Sequence, residues 1–484
     1  MGSPVQFEEG TNSFASGRLS EPLDGDARAA GYGLRREALS PMETLGQSIA
    51  TVGPSLTPVA TIPLVGALAG NGTWLAYVLA TIAILFVAWC IGRFARYTSS
   101  PGSLYSYVTM ILPPWLGATA GWSLFLAYVA TGASNIGGFY EYANVLLRDA
   151  SGHMASTVLL SSAMAAVTMW FAWRDVKISA RLMLSMEALS VTLIIVIVVL
   201  VLVRHGFHGD PEQLHLHGVT GSGLRLGLVL AIFSFAGFES ATTLGAEARE
   251  PLKTIPRAVI RTAILGGFFF TVCAYTEVVG LRMDGKDLAT SDMPMHVLAS
   301  VIRVPMLGTL IEIGALVALF SGVLACITAA ARVLLLMAHN GLAHESMRST
   351  HARNETPTKA TVATGLAALI PVAVLAARGA NGLDVYGWMG SLATYGFIVT
   401  YGLVCIALPR YLRDHHGVVN AATKAIPWMG VVAMLLALAG NLYPVPQGPY
   451  GKLPYIYLVY LFVVLMWFVV RSRPKPTAQD NSEC

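Results

Sequence analysis

Apolar stretches of roughly 17–25 residues, the length that crosses a bilayer as a helix, recur along the whole chain between charged or Pro/Gly-rich interruptions. They fall near 44–69, 74–92, 114–147, 155–173, 181–203, 223–246, 258–281, 305–338, 361–377, 384–408, 426–442 and 453–470. The pattern predicts an all-α integral membrane protein of about twelve transmembrane helices. The third and eighth stretches exceed one bilayer thickness and are expected to tilt or protrude. Two more segments, Ser103–Leu116 and Met293–Leu307, are moderately apolar but too short to cross. Residues 1–42 and 471–484 are polar and are expected to be tails, the first without the apolar core of a signal peptide.

Two of the apolar stretches are interrupted. The first runs Gln47-Ser48-Ile49-Ala50-Thr51-Val52-Gly53-Pro54-Ser55-Leu56-Thr57-Pro58, in which Pro54 and Pro58 each remove a backbone donor. The sixth begins as an apolar helix and breaks at Phe235-Ala236-Gly237-Phe238-Glu239. There Gly237 frees the backbone, and Glu239 places an ionisable group at membrane depth, at a cost of ~2.5–3.5 kcal/mol on insertion scales. A broken helix survives in a bilayer only where its freed backbone is buried in protein or lines a cavity. Matching breaks in the first and sixth spans, and matching short segments before the third and eighth, predict two repeats, 43–203 and 223–412. Five spans in each would make the repeats inverted. Residues 413–470 then add an eleventh and a twelfth helix outside a ten-helix core.

Composition agrees with a membrane protein. The chain has 484 residues, 55% hydrophobic and only 12% charged, with a mean hydropathy of +0.62, which leaves too little polar surface for an ordinary soluble domain. Basic residues gather in alternate loops, among them Arg93, Arg174, Lys177, Arg257, Arg348, Arg353, Arg410 and Arg471. That bias predicts both termini on the cytoplasmic side of a plasma membrane; the excess of Arg over Lys and the abundance of Ala point to a bacterial inner membrane. The net charge of +4 is scattered rather than massed, which argues against a nucleic-acid partner. No cysteine or histidine pattern suggests a metal, and none suggests a cofactor. His344-Glu345-Ser346-Met347-Arg348 lacks the second histidine of a zinc protease, and no G-x-S-x-G occurs, so an enzyme is not expected.

The pattern F-x-G-F-E at Phe235–Glu239, followed by small residues, an acidic-basic-proline loop and Ile255-Pro256-Arg257-Ala258, resembles the sixth transmembrane helix of the amino acid–polyamine–organocation transporter superfamily. The resemblance implies a LeuT-like fold with discontinuous helices 1 and 6. It also implies secondary active transport of an amino acid or related amine by alternating access, with proton-coupled symport or exchange. An uptake protein for inorganic cations or polyamines, or a sensor that binds an amino acid without moving it, would use the same cavity.

The same resemblance implies the site. It puts the substrate carboxylate against the first break at Ser55, Leu56 and Thr57, where Leu56 and Pro58 replace the family's glycines and the two hydroxyls are expected to compensate. It puts the substrate amine against backbone carbonyls near Phe233, Ser234 and Ala236, with Phe233 as an aromatic gate, Phe235 beside it and Gly237 at the break. Thr131 and Asn135 lie one turn apart on one face of the third span, where they serve either the ligand or interhelical hydrogen bonding. Tyr395 and Tyr401 on the tenth span are gate or packing residues. Glu239 and Glu187 are candidates for proton coupling, Glu239 equally for anchoring the broken backbone, and a sodium site would instead draw on Ser321 and Thr328. The expected partners are a small-molecule substrate, the lipid bilayer and a coupling ion, with the proton favoured.

Overall fold

The first helix starts where Ser40 and Glu43 satisfy each other's backbone N–H groups in a capping box and Pro41 takes the position that needs no donor. This helix, α1 (Pro41–Val52), stops at Gly53, whose left-handed backbone (φ 59°) ends it. The computed structural model describes residues 32–471 except 207, 286–287, 289–293, 418–419 and 444–447. Most of both expected tails therefore lies outside the described residues.

A π-helical turn at Thr57–Thr61 leads into α2 (Ile62–Ala69), and α3 (Thr73–Phe94) follows. The chain continues through the short α4 (Leu104–Thr109), α5 (Pro114–Ser151), α6 (Thr157–Arg174), α7 (Val176–His205) and the single turn α8 (Pro211–Leu214). Next comes α9 (Gly221–Phe233), which ends thirteen residues short of the apolar stretch predicted to reach 246 and gives way to turns and a 3-10 helix at Ser240–Leu244. Beyond it lie α10 (Pro251–Met283), the short α11 (Pro294–Val301), α12 (Pro305–His339), α13 (Thr358–Ala377), α14 (Gly382–His416), α15 (Ala421–Leu442) and α16 (Leu453–Arg471).

Among the described residues nine helical stretches are long and apolar enough to cross a membrane, the first of them α1 to α3 taken together as Pro41–Phe94. The shorter α9 is apolar as well. The protein is thus an all-α, multi-spanning membrane protein. The helix α5 lies at the centre, packed on α12 and α14, and α3 pairs with α10. Small residues allow the close approach: a Cβ on Gly396 of α14 would stand 2.4 Å from the carbonyl oxygen of Ser123 on α5. By contrast α7, α13, α15 and α16 turn Leu189, Ile370, Leu435 and Phe462 outward, an apolar exterior suited to lipid tails.

The last residues of the expected first tail are not free. Leu39 is fully buried, its N–H donates to the Glu247 carbonyl at 3.0 Å, and its own carbonyl accepts from Arg249 N–H at 2.9 Å. Next to this bridge, Arg332 of α12 grips Glu247 with two guanidinium nitrogens, one at 2.8 Å, and donates a third bond to the Thr328 carbonyl at 2.9 Å. Arg332 is 1% exposed and Glu247 0%, so the pair is closed off from solvent.

Candidate functional site between the two chain breaks

The two interruptions lie against each other. Thr51, in the last turn of α1, shares a hydrogen bond of 2.7 Å with Ser240 in the 3-10 helix. Ser240 also donates to the Gln47 carbonyl at 3.1 Å, and Ser48 accepts from Ala241 N–H at 2.9 Å. Gly237 holds φ at +87°, and a Cβ there would stand 2.2 Å from Thr51 Cγ2. Only glycine combines that backbone angle with so close a neighbour.

Backbone donors released by the breaks find side chains. Ser55 N–H and Ser55 Oγ both donate to Glu187 Oε1 on α7, at 2.9 and 2.8 Å. Gly237 N–H donates to the Tyr401 hydroxyl on α14 at 3.3 Å. Tyr401 in turn donates to Glu239 Oε2, while Tyr128 of α5 donates to Glu239 Oε1 at 2.7 Å. Glu239 is fully buried with a donor on each carboxylate oxygen. Each break is therefore tied to a distant helix through an acid, and neither acid lines the cavity described next.

That cavity is lined by Thr51, Val52, Leu56, Thr57 and Thr61 from the first break and its flanks, and by Phe233, Ser234 and Ala236 from the second. Thr131 and Asn135 of α5 and Tyr386 of α14 complete it. Its volume is ≈ 20 Å³, space for about one water molecule. In this form the cavity is too small to hold an amino acid. No Asp, Glu, Lys, Arg or His stands in the lining; its polar side chains carry hydroxyls and one amide.

Seven of the residues singled out in the sequence meet at this cavity: Leu56, Thr57, Thr131, Asn135, Phe233, Ser234 and Ala236. Ser55, Phe235 and Gly237 do not line it. Ser55 has turned its N–H and hydroxyl to Glu187; Phe235 packs edge-on against Phe270 with ring centroids 5.2 Å apart; and Gly237 faces Thr51. Tyr395 is a packing residue, stacked on Tyr457 of α16 at 5.8 Å. Ser321 donates weakly to the Met183 carbonyl at 3.4 Å, and the Thr328 hydroxyl is buried without a partner. The sequence reading missed Thr51, Val52, Thr61 and Tyr386. The first three were within reach, because they lie one turn either side of a break already marked by its prolines.

Membrane-spanning helices thus surround a small cavity walled from both chain breaks, an arrangement compatible with a membrane transport protein. A model of the amino acid permease family matches residues 45–475, and the chain belongs to that family. It is a transport protein rather than an enzyme. The chain is 29% identical to an uncharacterized transporter of Mycobacterium tuberculosis over 78% of its length and 81% of that protein. It is 24% identical to the methylthioribose transporter of Bacillus subtilis, over 76% of this chain and 79% of that one. It is also 27% identical to the low-affinity putrescine importer of Escherichia coli, over 70% and 75% respectively. Among the described residues no group of three or more His, Cys, Asp or Glu is placed to hold a metal ion.

Proposed function

We propose that the chain is a secondary active transporter that moves an amino acid or related amine across the membrane by alternating access, with a proton as coupling ion in symport or exchange. The observation that carries this reading is the cavity lined from both chain breaks at once. Val52 and Phe233, the last residues of α1 and α9, both stand in its wall. Two helix C-termini thus converge on one small space, and their partial negative charge favours an ammonium group. The Thr57 hydroxyl and the Asn135 amide supply donors for a carboxylate, whereas Thr131 Oγ1 already donates to the Ala127 carbonyl at 2.8 Å. Phe233 offers an apolar face, and it leans on Gly390 of α14 with no room for a Cβ between them.

The same reading takes 43–203 and 223–412 as inverted repeats of LeuT-like type. It is supported by the paired breaks and by the short helices α4 and α11 ahead of α5 and α12. Counting Pro41–Phe94 as two crossings, α9 with its broken continuation as one and α6 (Thr157–Arg174) as one, beside the eight other long stretches, gives twelve spans. In this scheme Glu239 is an anchor for the broken backbone, since two tyrosine hydroxyls already meet its charge. The buried Arg332–Glu247 pair and the Leu39 bridge lock one end of the bundle and must part when the cavity opens toward that side.

Purified protein in liposomes tests the reading by counterflow of labelled proteinogenic amino acids and of putrescine, the diamine named for the relative from Escherichia coli. At least one should exchange, and Thr57→Leu should reduce its exchange at least ~10-fold, a loss of about 1.4 kcal/mol of binding, while the thermal unfolding midpoint stays in place. Normal exchange by Thr57→Leu would put the binding site elsewhere. Absence of exchange for the whole panel would end the amino acid or amine reading.

A further inference from the structure

Glu277 lies on α10, two turns before its end, and was not among the residues that the sequence brought forward. It is 0% exposed, and neither carboxylate oxygen has a hydrogen-bond partner. The contrast with the other buried acids is sharp. Glu239 has a donor on each oxygen, Glu187 has two donors on one oxygen, and Glu247 is gripped by Arg332. A carboxylate buried with no donor and no cation is too costly to persist. Either a proton or a cationic ligand must meet that charge.

The surroundings decide between the two. The helix α10 packs on α1, α2, α3, α7, α11, the π-helical turn and the 3-10 helix. The titratable groups near enough to feel the Glu277 charge are Tyr77 of α3 and, on its own helix, Cys273, neither of them hydrogen-bonded to it; among the described residues no Lys, Arg or His pairs with it. Tyr77 is itself fully buried, and its hydroxyl shares a hydrogen bond of 3.1 Å with Ser234, a residue of the cavity wall. Glu277 does not line the cavity, so a substrate there does not reach it directly. A proton needs no cavity, and α10, which carries the acid, packs on the π-helical turn and the 3-10 helix of the two breaks, the backbone that binding and opening would move.

We propose that Glu277 is the proton-carrying site of this transporter, loaded while the cavity is small and emptied when the packing of α10 on the two breaks rearranges and lets water or a donor reach the carboxylate. The inference rests on the transport reading above and deepens it by naming where the coupling ion is held. No covalent step is involved: one proton binds a carboxylate oxygen on one side of the membrane and leaves it on the other.

The test uses the full chain in liposomes with whichever labelled amino acid or amine wild-type protein exchanges. Under an inwardly directed gradient of one pH unit, acid outside, one-to-one coupling accumulates substrate inside up to ~10-fold. Wild type should accumulate, whereas Glu277→Gln should exchange substrate in counterflow but accumulate none. Accumulation by Glu277→Gln at the wild-type level, or wild-type accumulation driven by sodium and indifferent to pH, would overturn the inference and leave the transport reading standing. A wild type that exchanges nothing would overturn both. Infrared difference spectroscopy gives a readout independent of transport. Wild type should show the band of a neutral buried carboxylic acid, displaced in Glu277→Asp and absent in Glu277→Gln; an ionised carboxylate at this position would refute the proposal even if Glu277→Gln failed to fold.

Discussion

Glu239 sits beneath two tyrosine hydroxyls, and Tyr401 is at once its donor and the acceptor for Gly237 N–H. Glu239→Gln keeps an acceptor but presents an amide N–H₂ to a hydroxyl already committed. The variant should lose ~1–3 kcal/mol of stability, the cost of a buried polar group left mismatched, read as a lower midpoint in thermal unfolding. It should still accumulate substrate under a pH gradient. Loss of accumulation with an unchanged midpoint would return the coupling role to Glu239. At this scale the sequence shows which acids stand in apolar runs, and both Glu187 and Glu239 were visible for that reason. It does not show which of them has partners, because Tyr128, Tyr401 and Ser55 lie more than a hundred residues from the acids they meet. Glu277 was overlooked because it falls close to Arg282 and Asp284, where an acid reads as belonging to the helix end.

The interrupted helices were marked by their own residues, with Pro54 and Pro58 in one and Gly237 in the other. What each break becomes was not, since the residues flanking the π-helical turn and the 3-10 helix bond to Glu187 of α7, Tyr128 of α5 and Tyr401 of α14, and the 3-10 helix itself bonds to α1. Tyr386 illustrates the limit. Nothing near it in the chain distinguishes it from a packing tyrosine, and only the fold brings it to the cavity. Gly237→Ala is the sharpest test of the element. Its left-handed φ and its contact with Thr51 should cost at least ~1–3 kcal/mol of backbone strain, and the clash should splay the two breaks apart. We expect a lower unfolding midpoint together with slower counterflow. An alanine variant as stable and as fast as wild type would mean that the second break relaxes into another shape.

For the whole molecule, class was the most legible property. A chain this apolar has one workable solvent for its outer face, and repeated long apolar runs leave only a helical bundle. Orientation is carried by the scattered arginines and lysines, a finer inference than class. Single cysteines introduced at Arg353 and at Arg378 should respond oppositely to a membrane-impermeant thiol reagent added outside intact cells, Arg378→Cys labelled and Arg353→Cys protected. Labelling of Arg353→Cys from outside would invert the proposed topology. Substrate identity was the least legible property, because relatives named for methylthioribose and for putrescine share comparable identity with this chain.

The ion pair between Arg332 and Glu247 has a bearing on how this protein can change over generations. Losing either partner strands a charge inside the bundle at a cost of ~3–5 kcal/mol, a large share of the margin that keeps a folded chain folded. Neither residue can drift alone. A lineage that lost Arg332 by chance would regain fitness most directly through position 247, and two apolar residues of similar bulk would serve as well as the original pair for stability. Under the alternating-access reading proposed above, those descendants would fold as well but transport more slowly, since a seam without charges has less reason to come apart.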